Sequence, residues 1–282
     1  MKSMGNIIQD IVGKDEKMIS YTSPSDPLLK RVVINSMELM SGRKKIEKAY
    51  QALSEMEIDD VTVWHYLFPL LEVAIDFDKG QLSKIPRKGP LVIIANHPFG
   101  VIDGLSLGYI LSLIRADFKL IVNELLCKEG LFGKYLLPID FRETKSALRT
   151  NLKTRDEVLS ILDNDGSIAI FPSGGVATAV KPFSKDVRDL QWKNFLVKMV
   201  RREGLTIVPI FFHGRNSQLF QIASHINQSL RYGLLLNEVT NKRGQTIKIS
   251  IGDPIQSSEY NHLKPKDLLS HLRQITLGLS DQ

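Results

Sequence analysis

The stretch Leu91-Val92-Ile93-Ile94-Ala95-Asn96-His97-Pro98-Phe99-Gly100-Val101-Ile102-Asp103 decides the reading of the fold. Its first five residues are an unbroken apolar run entered from the turn Pro86-Arg87-Lys88-Gly89-Pro90. That pattern predicts a strand buried on both faces. Ligands of open α/β sheets bind outside the carboxyl ends of the strands. His97 stands at that end, and Asp103 follows within a short loop or one to two helical turns. A carboxylate that orients an imidazole makes a general base for a hydroxyl or amine. The same residues also suit a plainer role, in which Asn96 and Asp103 cap a helix around a hydrogen-bonded structural histidine.

Outward from this stretch, short apolar runs recur at 118–122, 137–141, 167–171, 206–212 and 246–251. Helical patterns lie between them at about 103–115, 145–162, 184–202 and 216–230, and a last one falls near 265–279. The segment 184–202 has the clearest stripe, formed by Trp192, Phe195, Leu196, Met199 and Val200. Strands spaced by helices predict an α/β fold with a mainly parallel central sheet and helices on both faces. Before it, Asp26 to about Leu71 reads as helices, with Pro27 in a first turn, Gly42 between two helices and Asp59-Asp60 opening a third. The expected organisation is therefore a helical segment over 1–80 and an α/β domain over 81–282, joined as one continuous unit.

In a parallel sheet the groups after the strands converge on one rim. These are Asn96-His97, Arg142, Pro172-Ser173-Gly174-Gly175 and His213-Gly214-Arg215-Asn216. Arg142 and Arg215 could bind an anionic head group, because arginine forks match carboxylate and phosphate, or could form surface salt bridges. Gly174 and Gly175 could offer backbone N–H groups to an anion. Ser173 lies on a strand-to-helix turn, but Phe171 occupies the place of the first glycine of a hydrolase elbow. Cys127 reads as a buried small residue, and the remaining histidines have no metal-ligand spacing.

The 282 residues carry 37 Lys+Arg against 31 Asp+Glu, a net charge of +6, and the pI is near 9.2. Anionic partners are favoured: a phospholipid surface, an acidic protein or a phosphorylated cofactor. Few aromatics interleave with the basic residues, so no stacking surface for nucleic acid is expected. One cysteine excludes a disulfide framework. The N-terminus is a poor signal peptide, and the apolar run Leu105 to Ile114 ends at Arg115, short of a bilayer span. Membrane contact is expected to be peripheral.

Asn96-His97-Pro98 followed by Asp103-Gly104 resembles the His–Asp signature of the glycerolipid and lysophospholipid acyltransferase superfamily. The strand before it, Phe171-Pro172-Ser173-Gly174 and Val208-Pro209-Ile210 extend the likeness over roughly 85–255. His213-Gly214-Arg215-Asn216-Ser217 and, more loosely, Asn241-Lys242-Arg243-Gly244 resemble the bacterial branch labelled as hemolysins. The resemblance implies transfer of a fatty acyl group from acyl-CoA or acyl-carrier protein to a lysophospholipid-like acceptor, with 81–282 as the acyltransferase domain. His97 would be the base and Asp103 its orienting partner. Asn96, Phe99, Gly100, Arg142, Phe171, Ser173, Gly174, Gly175 and Arg215 would contact substrate. No metal or further cofactor is implied, and the protein would sit in the cytoplasm against the anionic inner face of the cell membrane.

Two departures stand out. Five residues, Pro98 to Ile102, separate His97 from Asp103 where the common signature has four, and Gly100 could absorb the extra one. Ser173 and Val176 replace the charged Glu and Arg of the usual Phe-Pro-Glu-Gly-Thr-Arg element. That change leaves room for an amino-lipid acceptor. It also motivates two alternatives: a non-catalytic lipid- or acyl-binding protein, and a serine hydrolase using Ser173.

Overall fold

The computed structural model describes residues 27–28, 31–32, 34, 43–127, 130–142 and 144–281. Helices α1 (Arg43–Ser54) and α2 (Val63–Leu71) lead to the short β1 (Ala74–Asp76), a single turn α3 (Lys79–Leu82) and β2 (Leu91–Ala95). Then come α4 (Val101–Ser112), β3 (Phe118–Asn123), β4 (Leu136–Ile139), α5 (Lys145–Asp163) and β5 (Ser167–Ile170). A small hairpin of β6 (Thr178–Ala179) and β7 (Val187–Arg188) precedes α6 (Phe195–Val200) and β8 (Thr206–Phe212). The chain closes with α7 (Gln218–Ile226), α8 (Gln228–Asn241), β9 (Thr246–Ile251), β10 (Ile255–Gln256), α9 (Ser257–Tyr260) and α10 (Pro265–Gly278).

The main sheet runs β1-β9-β8-β2-β5-β3-β4. Every neighbouring pair along it is parallel except β8 with β9, and β10 adds a second antiparallel pairing to β8. The mainly parallel sheet expected from alternating strands and helices is the one observed.

Strand β2 is central and fully buried, and its period of two divides the core. Leu91, Ile93 and Ala95 join Trp64 of α2, Leu107 of α4, Phe220 of α7 and Leu236 of α8 in one apolar cluster. Val92 and Ile94 join Val158 of α5, Leu196 of α6 and Leu268 and Leu272 of α10 in the other. Helices therefore cover both faces. On the first face the approach is close: a Cβ on Gly108 would lie 2.2 Å from the Trp64 ring. Only glycine lets α4 pack there.

The helix expected over 184–202 is corrected to Phe195–Val200. Residues 187–188 pair antiparallel with 178–179, and the side chain of Asp189 turns inward. An apolar stripe at helical intervals could not reveal a pairing partner nine residues upstream. The expected helix over 216–230 divides at Asn227, and its second part continues to Asn241. The edge strand β1, which pairs in parallel with β9, had no expected counterpart. Asp59 accepts hydrogen bonds from the backbone N–H groups of Val61 and Thr62 just before α2. The break expected at Gly42 lies outside the described residues.

Candidate active site

The loop between β2 and α4 brings His97 against Asp103. His97 Nδ1 lies 2.9 Å from Asp103 Oδ2. The same oxygen accepts the backbone N–H groups of Phe99 at 2.8 Å and Gly100 at 2.9 Å. One carboxylate thus caps the first turn of α4 and orients the histidine, so the capping role and the pairing role coexist. Gly100 makes this possible at φ 88°, in the left-handed region. Its backbone turn absorbs the extra residue between histidine and aspartate.

Asp103 is wholly buried, and the side chain of His97 is 16% exposed. Burial pushes the Asp103 carboxyl above its ordinary value, against the lowering effects of the His97 hydrogen bond and charge and of the two backbone N–H groups. Asp103 Oδ1 is buried with no hydrogen-bond partner. An ionised carboxylate only accepts, so Nδ1 carries the proton and Nε2 is left with a lone pair.

His97 is also held from the segment after β5. Its ring stacks on Phe171, with centroids 3.9 Å apart and planes 18° apart. Its backbone N–H donates to Asp189 Oδ1 at 3.1 Å, and its carbonyl accepts from Ala177 N at 2.7 Å. The second oxygen of Asp189 accepts from Trp192 Nε1 at 2.7 Å. Burial raises the Asp189 pKa, partly offset by these two donors.

His97 lines a cavity of about 610 Å³ that extends beneath α1 and α2. That is the size of a small-molecule site. Trp64, Leu67, Leu120, Val122 and Phe132 form an apolar part of its wall. Gly100, Phe171, Ser173, Gly174 and Gly175 line the same space.

The other expected site residues lie elsewhere. Asn96 spends its side-chain amide on Phe212, donating to the carbonyl at 3.0 Å and accepting the N–H at 2.7 Å. It ties β2 to β8. Phe99 is buried behind the loop, with Lys242 Nζ 4.6 Å from its ring centroid and Asn216 Nδ2 donating to its carbonyl. Arg142 is outside the cavity wall, paired with Asp140 at 2.6 Å and Glu124 at 2.7 Å. Arg215 is outside it too and donates to the Lys185 carbonyl. His213 bonds Ser250 Oγ through Nε2.

Ser173 is buried, and its hydroxyl donates to the Gly175 carbonyl at 3.0 Å. A serine nucleophile needs a base on that hydroxyl, and here the hydroxyl closes its own turn. The Gly174 amide donates to the Phe171 carbonyl within that turn. Cavity-lining Arg231 and the tether Asp189 were missed from sequence. Asp189 carried a faint signal, the indole of Trp192 three residues on.

Among the described residues no group of three or more His, Cys, Asp and Glu is placed to hold a metal. No helix there is long and apolar enough to cross a membrane.

Comparison with known proteins adds an independent line. The profile of the acyltransferase family matches residues 52–273. Lyso-glycine lipid O-acyltransferase of Phocaeicola vulgatus is 29% identical over 190 residues, which cover 65% of this chain and 65% of the relative. The protein of the same name from Bacteroides thetaiotaomicron is 25% identical over 210 residues, covering 70% of this chain and 73% of the relative. The chain therefore spans just under two thirds of the first of these relatives. The crystal structure of the 1-acyl-sn-glycerophosphate acyltransferase PlsC from Thermotoga maritima aligns with a TM-score of 0.49 at 14% identity, covering 90% of this chain and 96% of that one.

Proposed function

This chain belongs to the acyltransferase family, and from that premise we propose that it transfers a fatty acyl group from a thioester to the hydroxyl of a lysolipid. The carrying observation is the His97–Asp103 hydrogen bond at the wall of a largely apolar cavity. His97 Nε2 takes the acceptor's hydroxyl proton as the oxygen attacks the thioester carbonyl. Asp103 stabilises the imidazolium through Nδ1–H. Collapse of the tetrahedral intermediate breaks the carbon–sulfur bond, and the thiol leaves with the proton from His97. Such a base contributes about 10²–10⁴-fold. Backbone amides of Gly175 and Val176, on the same wall, stabilise the oxyanion. The apolar wall of Trp64, Leu67 and Phe132 takes an acyl chain.

The names of the two curated relatives suggest a lyso-glycine lipid as acceptor. The donor is acyl-CoA or acyl-carrier protein, and the +6 net charge suits either anionic carrier. Phe141 and Leu190 are exposed where they line the cavity, and exposed Val180 and Phe183 accompany Lys181 and Lys185 in the β6–β7 loop. These residues would meet an anionic membrane from its cytoplasmic side. The test is acyl transfer by purified protein to lyso-glycine lipid, with each donor, for wild type and His97→Ala. Transfer lost in the folded variant is the expected result; transfer that survives it would overturn the assignment.

A further inference from the structure

Arg231 lies on α8, and its guanidinium reaches the cavity that His97 lines. It is partly buried, and among the described residues none of its contacts is acidic. Nη1 donates to Thr178 Oγ1 at 2.9 Å, Nη2 donates to the Val176 carbonyl, and the group lies 5.6 Å from the Phe220 ring centroid. Burial pulls its pKa below the ordinary arginine value, against a raising effect of neighbouring Tyr232. Among the described residues the cavity wall contains no Asp or Glu; its cations are Arg231 and Lys193.

A buried charge without a counter-ion is costly, and proteins keep one only where something compensates it. Two neutral acceptors use only part of the guanidinium's donor set. The position is also specific. The carbonyl that Arg231 holds belongs to Val176, in the turn that lines the cavity with His97. Val176 and Leu235, one turn beyond Arg231 on α8, are the two side chains that a Cβ on Gly100 would strike. The guanidinium is therefore packed one layer behind the loop that sets His97 against Asp103.

We infer that Arg231 binds the anionic head group of the acceptor, a carboxylate or a phosphate, and so selects charged over neutral lysolipids. The inference rests on the acyl-transfer reading for its substrate class but not for its binding chemistry. A bidentate contact to a carboxylate or phosphate is the geometry a guanidinium fork prefers.

The test compares three acceptors: a lyso-glycine lipid, its methyl ester, and lysophosphatidic acid of the same chain length. Binding is measured by calorimetry to wild type, His97→Ala, Arg231→Gln and Arg231→Lys, and turnover wherever it occurs. Wild type should bind the free acid at least about tenfold more tightly than the ester. Arg231→Gln should bring that ratio near one and raise KM more than it lowers kcat. Arg231→Lys should fall between. The tighter of the two anions identifies the head group. Equal affinity of wild type for acid and ester would overturn the inference, and so would an unchanged ratio in a folded Arg231→Gln. If Arg231→Gln does not fold, the wild-type ratio and the lysine variant decide the matter. Charge-selective binding without turnover would sink acyl transfer and leave this inference standing; turnover without charge selectivity would do the reverse.

Discussion

Asp103 Oδ2 accepts a hydrogen bond from His97 Nδ1 across an intervening five-residue loop, and the same oxygen caps the first turn of the following helix. The catalytic candidate and the helix start are one piece of geometry. A change to either disturbs both.

Replacing Asp103 with Asn should separate activity from stability. Burial raises the Asp103 pKa above the ordinary 3.8. A carboxyl with a raised folded pKa contributes its full stability below the unfolded value, and that contribution is lost as pH rises through the folded value. The wild type therefore carries the cost of an ionised buried carboxylate at neutral pH, and the asparagine does not. Urea titrations should show the variant gaining on wild type as pH rises from about 4. Its acyl transfer should fall by about 10²–10⁴-fold because the imidazolium loses its partner. A stability difference that shrinks with rising pH would contradict the assignment.

Gly100→Ala should damage the same loop through the backbone. The position has φ 88°, and a Cβ there would lie 2.9 Å from Leu235 and 3.2 Å from Val176. A cost of about 1–3 kcal/mol is expected, read as a lowered midpoint in chemical denaturation. Acyl transfer should fall with it, because His97 and Asp103 flank the strained residue. A variant as stable and active as wild type would show that the loop tolerates another backbone path.

Asp189 is a positioning residue, holding the His97 backbone with one oxygen and the Trp192 indole with the other. Asp189→Ala leaves two N–H donors without their acceptor, at about 1–3 kcal/mol each if they stay buried. The structural effect should appear as a lowered Tm. The positioning effect should appear as a fall in kcat larger than any rise in KM. An unchanged kcat in the folded variant would assign Asp189 to stability alone.

Gly108→Ala tests the packing of α4 on α2. The added methyl would overlap the buried Trp64 ring at 2.2 Å, and neither helix can yield without opening the core. Destabilisation of about 1–3 kcal/mol is expected from overpacking, with a red shift in tryptophan emission as the ring is displaced toward water. Trp64 also lines the cavity, so lysolipid affinity should fall too.

Cys127 should be inert. Burial, with the nearby charge of Glu124, pushes its thiol up to about 12 from the ordinary 9.0. Alkylation by iodoacetamide at about pH 8 should run on the order of 10³-fold slower than for a free thiol. The residue is half-buried rather than buried as the sequence suggested, and reaction at the free-thiol rate in the folded protein would refute that environment.

Most of the sheet was legible in the chain. Runs such as Leu91–Ala95 and Thr206–Phe212 are buried on both faces, and continuous apolar sequence of strand length has few other uses. The glycine-rich turn after β5 was legible too, because strand ends in a parallel sheet share a rim. The hairpin β6–β7 was not. It rests on two residues pairing with two, and Trp192 and Phe195 happen to fall at helical spacing beside it. The placement of Arg142 and Arg215 away from the cavity wall was not legible for a related reason. Sequence shows that a guanidinium follows a strand, but not that Asp140 and Glu124 already claim the first or that the second points to the Lys185 carbonyl.

The sequence by itself determined the α/β class, the strand that carries His97 and the carboxylate available to it, because these follow from local periodicity and chain order. Tertiary structure alone decided that His97 and Asp103 meet, since contact across five residues depends on the left-handed turn at Gly100. It alone singled out Arg231 as well. What distinguishes that arginine is its place on the cavity wall, partly buried and, among the described residues, without an acidic contact, and the surroundings of a buried charge are assembled from segments far apart in the chain.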